Sequence, residues 1–277
     1  VACGDFDEDG RADFYVTFTD GTHDTAAIPT LNYTQDSPTD NDVADAAGNK
    51  LANFAGISAS HSPAWWNSSW TRRRKLIFNN ADQAENLANF PVLVKLDSTR
   101  VDYAQVQNSG QDLRFIDADG TTVLAYEIEK YDEAGSSFLW VKVPQVDSGS
   151  VTDSIWLYYG NTGASDCETD AACPNAVNVW DSNYKGVWHL YETSGTNIAD
   201  STSSANTGTK TSATEPAVTA SGKVNGAQDF DGTDDRVNMV ENGTLDIASG
   251  GITLEAWINP DVVTGPGDTI ILKGYGV

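Results

Sequence analysis

The sequence is short of basic residues, and this shortage excludes whole classes of partner. Its 16 Lys and Arg stand against 40 Asp and Glu, which gives a formal charge of −24. A chain this acidic is repelled by nucleic acid and by anionic lipid, because both carry negative charge. Long apolar runs are lacking too: residues 51–71 carry no charged side chain but contain Asn, Ser, His and Pro, too polar to span a membrane.

Cysteine and histidine are equally scarce. Three histidines, His23, His61 and His189, lie far apart and away from the three cysteines, so no metal cluster of these residues is expected. Five residues separate Cys167 from Cys173, and we predict a disulfide that closes this short loop and implies an oxidising, extracellular compartment. Two reduced thiols are the alternative.

Short alternating apolar runs dominate the stretch from residue 66 to residue 160. Apolar side chains recur at every second position, as in 90–96 and 124–128, and turn-forming residues separate the runs. No segment there has the spacing of a long amphipathic helix. The pattern predicts an all-β fold with an antiparallel β-sandwich.

Five runs in this stretch carry a family resemblance. They are WWNSSWTRRRKLIF (65–78), FPVLVKL (90–96), DLRFIDADGTTVLAYEIEKYD (112–132), LWVKVP (139–144) and IWLYYGN (155–161). Residues 65–161 therefore resemble the domain of unknown function 2341 family. The resemblance implies a secreted or cell-surface β-sandwich, often beside sugar-binding-like modules, and it supplies no catalytic residues.

A second resemblance begins at residue 187. The segments VWHLYETSGTNIADSTSSANTG (187–208), GKVNGAQDFDGTDDRVNM (222–239) and ITLEAWINP (252–260) resemble the first half of a laminin-G-like, concanavalin A-like lectin domain. This implies a partial jelly roll over residues 187–277. Half a jelly roll leaves strand edges open, so we expect either a fragment or self-association through strands of another chain.

An acidic loop opens the chain. The carboxylates of Asp5, Asp7, Asp9 and Asp13 surround Gly10, and such a loop binds hard cations, Ca²⁺ above all. Residues 4–14 resemble the calcium loop of FG-GAP or VCBS propeller repeats, in which the carbonyl of Arg11 is a further ligand. An acidic turn without metal is the alternative.

These features predict five segments. They are a calcium-loop β segment (1–35), a linker (36–64), the central β-sandwich (65–165), a disulfide loop and linker (166–186), and the partial laminin-G-like jelly roll (187–277).

Aromatic side chains on neighbouring strands are candidates for carbohydrate binding. Trp140, Trp156 and Tyr158 would form a platform for sugar rings if exposed, and would fill the core otherwise. Sequons at Asn32, Asn67 and Asn242 are candidate glycosylation sites.

One run invites an enzymatic interpretation. Glu127, Glu129 and Asp132 loosely resemble the catalytic strand of family-16 glycoside hydrolases, but the residue types are permuted, and Glu127 and Glu129 are expected on a solvated face. No nucleophile elbow, P-loop or dinucleotide fingerprint is present in the sequence. We therefore expect no enzyme.

The sequence as a whole predicts a secreted or cell-surface, calcium-stabilised protein for adhesion or carbohydrate binding. Its expected partners are glycans or surface proteins, without nucleic acid and without a membrane span. The alternatives are a subunit of an extracellular filament or surface layer that assembles by strand exchange, and a glycoside hydrolase fragment.

Overall fold

The computed structural model describes residues 2–4, 13–15, 30–33, 54–58, 65–240, 242–261 and 269–273. The chain divides into two units, Val1–Asn67 and Ser68–Val277. In the first unit β1 (Ala2–Gly4) pairs antiparallel with β2 (Asp13–Tyr15), and β3 (Thr30–Tyr33) pairs antiparallel with β4 (Phe54–Ser58).

The second unit contains the predicted sandwich. Its strands are β5 (Arg72–Ile77), β6 (Leu87–Leu96), β7 (Arg114–Ile116), β8 (Val123–Leu124), β9 (Tyr126–Lys130), β10 (Ser137–Val146) and β11 (Ser154–Tyr159). One sheet has the order β6-β10-β9 and the other β5-β11-β7-β8, with every pairing antiparallel. The all-β fold with antiparallel sheets, predicted from the alternation, is confirmed.

Alternate residues of each strand build the core between the sheets. Along β10, Leu139, Val141 and Val143 are buried, while the intervening Trp140 and Lys142 are only half-buried on the outward face. Each fully buried aliphatic side chain contributes about 1.5–3 kcal/mol to folding. Both sheets supply the core, whose largest members include Leu96, Leu113, Phe115, Leu139, Ile155 and Leu157.

Residues 124–128, expected to form one strand, are divided at Ala125. β8 belongs to one sheet and β9 to the other. The chain turns this corner because each half must direct its apolar side chains, Leu124 on β8 and Tyr126 on β9, into the same core. The corner leaves the outward face of β9 free to receive the segment that follows the sandwich.

Shorter strands follow the sandwich: β12 (Asn197–Ile198), β13 (Gly208–Lys210), β14 (Ala217–Thr219), β15 (Ala227–Asp229) and β16 (Val237–Met239). They form an antiparallel sheet of order β12-β13-β16 and a separate β14-β15 pair. The helices in the described residues are single 3₁₀ turns, Tyr103–Gln105 and Ala176–Asn178. None of the helices in these ranges is long and apolar enough to cross a bilayer.

Residues 252–260 differ from the sequence expectation. The laminin-G-like resemblance implies a strand here, yet these residues pair with no strand among the described residues. The side chains of Leu254 and Trp257 are 61% and 80% exposed. A strand forms only where its backbone has a neighbouring strand to hydrogen bond with.

Candidate functional site

The outward face of β9 carries two carboxylates. Glu127 and Glu129 are two residues apart, so both point away from the core, and Glu127 lies directly across from Trp140 of β10. The segment after the sandwich packs over this face, where Val179 and Trp180 are buried against Ala125. The same segment brings His189 to the carboxylates.

His189 lies between the two glutamates. Its Nδ1 is 2.5 Å from Glu129 Oε2, and its Nε2 is 3.3 Å from Glu127 Oε2. The three side chains are only 10% (His189), 3% (Glu129) and 16% (Glu127) exposed. Because both ring nitrogens face carboxylate oxygens, both carry a proton, and the ring is an imidazolium.

Three neutral donors complete the coordination of the carboxylates. Trp180 Nε1 donates to Glu127 Oε2 at 2.8 Å, and Ser201 Oγ donates to Glu127 Oε1 at 2.6 Å. Trp140 Nε1 donates to Glu129 Oε2 at 3.1 Å. Two buried carboxylates are thus balanced by one cation and three hydrogen bonds, as buried charge requires.

The surroundings set the proton affinity of the ion triad. Burial by itself lowers the pKa of His189, but the hydrogen bonds to Glu127 and Glu129 outweigh burial and raise the pKa to about 9. Burial raises the pKa of Glu127, but the hydrogen bond and charge of His189 outweigh burial and lower it. At neutral pH His189 is therefore a cation and Glu127 an anion.

Aromatic rings surround the triad. Trp180 packs edge-on against Tyr184 with ring centroids 5.2 Å apart, and it lies 5.4 Å from Trp140. Tyr191 stacks on His189 at 6.0 Å. Trp180 is buried, whereas Trp140, Tyr184 and Tyr191 are half-buried and keep part of each ring at the surface. We call the set the His189 cluster: Glu127, Glu129, Trp140, Trp180, Tyr184, His189, Tyr191 and Ser201.

The contacts and the protonation state of the His189 cluster limit its chemistry. A general base must be unprotonated near neutral pH, and His189 is protonated there. Both carboxylate oxygens of Glu127 and Oε2 of Glu129 already accept hydrogen bonds from donors of the protein. The accessible chemistry is that of the partly exposed aromatic rings around a fixed charged centre.

The sequence prediction of a solvated face on β9 is wrong. That face is covered: Glu129 and the adjoining Ala125 are 5% and 6% exposed. Alternation predicts an exposed face only if no other segment packs on it. Here residues 179–201 pack on that face. The period-two pair of glutamates opposite Trp140 was the available signal, but nothing local indicated its partner, His189, which lies 62 positions beyond Glu127.

The three aromatic residues predicted to bind sugar lie in different surroundings. Trp140 belongs to the His189 cluster. Trp156, on the other sheet, is half-buried with the guanidinium of Arg73 over its ring at 4.4 Å. Tyr158 is fully buried and accepts a hydrogen bond from Arg73 Nη1 at 3.0 Å. Tyr158 therefore has no ring face to offer to a sugar.

The predicted disulfide is confirmed. Cys167 and Cys173 are bonded, with Cα atoms 5.2 Å apart. Of the sequons, Asn32 lies on β3, Asn67 is half-buried, and the exposed Asn242 donates through Nδ2 to the carbonyl of Ser204 at 2.8 Å.

The predicted calcium loop lies outside the described residues, except that Asp13 begins β2. The prediction for Asp5, Asp7, Asp9, Arg11 and Asp13 therefore stays a prediction.

Elsewhere in the described chain, carboxylate oxygens of Asp231, Asp234 and Asp235 lie within 4.8 Å of one another at the surface. Backbone N–H groups of the same turn, that of Thr233 foremost, lower the pKa of Asp231.

Comparison with known proteins adds one match. No curated protein and no solved structure matches the chain. Residues 109–207 match the model of a domain of unknown function, DUF2341. The predicted resemblance to this family is confirmed, although the matched segment lies further towards the C terminus than residues 65–161 and includes every member of the His189 cluster. The part of this chain that is similar to the DUF2341 family thus runs from the residues just before β7, through the His189 cluster, to the start of β13.

Proposed function

We propose that this chain is a non-enzymatic extracellular protein for carbohydrate binding and adhesion, and that the His189 cluster is its binding surface. The observation that carries the proposal is the set of half-exposed rings of Trp140, Tyr184 and Tyr191 held around one ion triad. Aromatic faces beside fixed polar groups suit a sugar ring, which has apolar C–H faces and a polar rim.

The Cys167–Cys173 disulfide supports the extracellular location. Disulfides persist in oxidising compartments, whereas the cytosol keeps thiols reduced. The protonation of His189 supports the non-enzymatic assignment, because a protonated imidazole is not available as a general base near neutral pH.

A glycan array with the 277-residue chain tests the proposal. Tyr184 packs on Trp180 by ring contact, and Tyr184→Ala removes that exposed face while the triad stays in place. We expect the affinity for the bound glycan to fall about tenfold, with an unchanged circular dichroism spectrum. Phe230→Ala is the matched control, since it removes another exposed ring, 47% accessible, outside the cluster. An array without any bound glycan would refute the proposal.

Calcium stabilisation is a separate part of the proposal. It concerns Asp5, Asp7, Asp9, Asp13 and the carbonyl of Arg11, and isothermal titration with CaCl₂ tests it. We expect binding that Asp9→Asn abolishes and Asp234→Asn leaves unchanged. If Asp234→Asn alone abolishes binding, the ion belongs to the 231–235 turn and the N-terminal assignment is wrong.

A second candidate, assembly by strand exchange, is favoured by the exposed apolar side chains of Ile252, Leu254 and Trp257. Such side chains are covered when a neighbouring chain adds a strand. Light scattering and electron microscopy at rising concentration should then show oligomers or filaments, which Trp257→Ser weakens. A monomer at all concentrations would eliminate this candidate.

A further inference from the structure

A depression of about 370 Å³ lies at the end of the sheet where β7 begins and β11 ends. The loop before β7, residues 104–111, forms one wall, and Gly160 and Thr162 after β11 form the other. None of the eight described residues that line it is ionisable, although the chain as a whole carries a formal charge of −24. The depression is an uncharged polar surface on an acidic protein, and it shares no residue with the His189 cluster.

A buried carboxylate fixes the two walls. Asp112 is fully buried, and its Oδ1 accepts a hydrogen bond from the backbone N–H of Gln107 at 2.9 Å. Its Oδ2 accepts from the N–H groups of Gly160 at 2.7 Å and Asn161 at 3.0 Å. One side chain thus ties the loop before β7 to the loop after β11.

Gln107 makes a second tie between the walls. The side-chain Nε2 donates to the backbone carbonyls of Asn161 at 2.8 Å and Ala164 at 2.9 Å. The backbone carbonyl of Gln107 accepts from Tyr131 Oη at 3.1 Å. A ligand that binds between walls held in this way does not have to order them first, and so loses less free energy on binding.

The remaining polar groups of the lining are free for a ligand. Within the described part of the chain, the side chains of Gln105, Asn108 and Thr162 make no hydrogen bond to protein. Gln111 accepts from Ser109 N–H through Oε1 at 2.9 Å, which leaves its NH₂ group available. The residues that line this one depression thus carry three amides and one hydroxyl that can donate hydrogen bonds.

This set of groups selects a ligand class. The lining has no carboxylate that could bind a cation. It also has no basic side chain that could offset the repulsion between an anion and this acidic protein. Sugar hydroxyls donate and accept hydrogen bonds, as amides and Thr162 also do. We propose that this depression is a binding subsite for a neutral sugar residue. The inference rests on the proposed carbohydrate-binding function and adds a second point of contact for a glycan.

Titration of the ¹⁵N-labelled chain with free glucose, galactose, mannose and N-acetylglucosamine tests the subsite. We expect the side-chain amide signals of Gln105, Asn108 and Gln111 to shift with at least one of these sugars. The double variant Gln105→Ala, Asn108→Ala removes two groups without protein partners, so it should fold normally and bind that sugar about tenfold more weakly. Gln83→Ala, an exposed amide outside the depression, is the control and should bind like the unchanged chain.

The outcomes separate the two proposals. If sugars or arrayed glycans bind while the pocket amides stay unshifted and the double variant binds normally, the subsite is wrong and the carbohydrate function stands. If neither the free sugars nor any arrayed glycan binds, both are wrong. If chloride or sulfate shifts the same amides as strongly as the sugar does, the assignment to neutral sugars is overturned.

Discussion

His189 stabilises the protein as a charged residue held by two partners. Both glutamates are largely removed from water, so a neutral residue in place of the imidazolium leaves two carboxylates facing each other without a cation. We expect His189→Gln to lower the free energy of unfolding by about 3–5 kcal/mol, the cost of breaking a buried ion pair from one side. Urea denaturation at pH 7 measures it.

The triple variant His189→Phe, Glu127→Gln, Glu129→Gln is the companion measurement. It removes all three charges together, so no charge is left unpaired, and we expect it to be more stable than His189→Gln. If His189→Gln proves the more stable of the two, the triad does not act as one unit.

The raised pKa of His189 predicts that the stability of the protein depends on pH. The folded-state pKa of His189, about 9, lies above the ordinary value of 6.5, so the folded state binds this proton more tightly than the unfolded state. The stabilisation is fully present below about pH 6.5 and is lost as the pH rises through 9. We expect the urea midpoint to fall between pH 6.5 and 9.5, and to fall much less in His189→Gln.

Glu127 adds a separate effect in acid. The folded state lowers the pKa of Glu127, so ionised Glu127 stabilises the fold. This stabilisation is fully present above the ordinary pKa of 4.5 and is lost as the pH falls through the lower folded-state pKa. Glu127→Gln should therefore flatten the acid side of the stability profile. An unchanged acid side would contradict the contact with His189.

Gly160 has a backbone conformation that other residues adopt with difficulty. Its φ is +86°, and a Cβ there would collide with Thr71 Oγ1. Gly149 also has a positive φ, +68°, but a Cβ at that residue would meet no described atom within 4 Å. Gly149→Ala thus measures backbone strain of about 1 kcal/mol, and Gly160→Ala should cost more because the collision adds to the strain. Thermal unfolding of the two variants, side by side, checks the order.

At the scale of an element, the loop closed by the disulfide contains Asp170, the ion-pair partner of the buried Arg114. The Arg114 side chain is 2% exposed; its Nη2 donates to Asp170 Oδ2 at 3.0 Å and to the carbonyl of Ser165 at 2.7 Å. Asp170 lies within the loop that Cys167 and Cys173 close. The disulfide therefore restrains the segment that satisfies Arg114.

Removal of the disulfide should cost about 2 kcal/mol, the loop-closure entropy of so short a ring. We expect the double variant Cys167→Ser, Cys173→Ser to unfold at lower urea and to exchange the backbone amides of residues 165–173 faster. Reductant should shift the unchanged chain towards the variant and leave the variant itself unaffected. A response of the variant to reductant would point to a different thiol.

At the scale of the whole molecule, charge of one sign opposes folding. With 40 acidic and 16 basic residues, the folded chain concentrates repulsion that the unfolded chain relieves. Raising NaCl from about 20 to about 300 mM shortens the Debye length from roughly 20 Å to roughly 6 Å. The melting temperature should rise by about 2–4 °C for each kcal/mol of repulsion that is screened.

The salt series needs chelator throughout, so that a bound divalent ion does not contribute. Lower stability at high salt would mean that attractive pairs, such as Arg114 with Asp170, outweigh the repulsion across the surface.

The strands of the sandwich and the disulfide follow from local features of the sequence. Period-two alternation over β6 and short apolar runs over β10 and β11, bounded by turn residues, predict strands, because both patterns are local properties of the chain. Cys167 and Cys173 are close enough in the chain to meet with little help from the rest of the fold.

The segments that cover the outward faces and the ends of those strands are set by long-range packing. Glu127 meets His189 across 62 positions, and Gln107 meets Asn161 across 54, because separate segments pack together in three dimensions. No residue pattern near Glu127 specifies that partner. The His189 cluster and the amide-lined depression therefore come from packing between distant segments, whereas the strands that position them come from the apolar pattern within each segment.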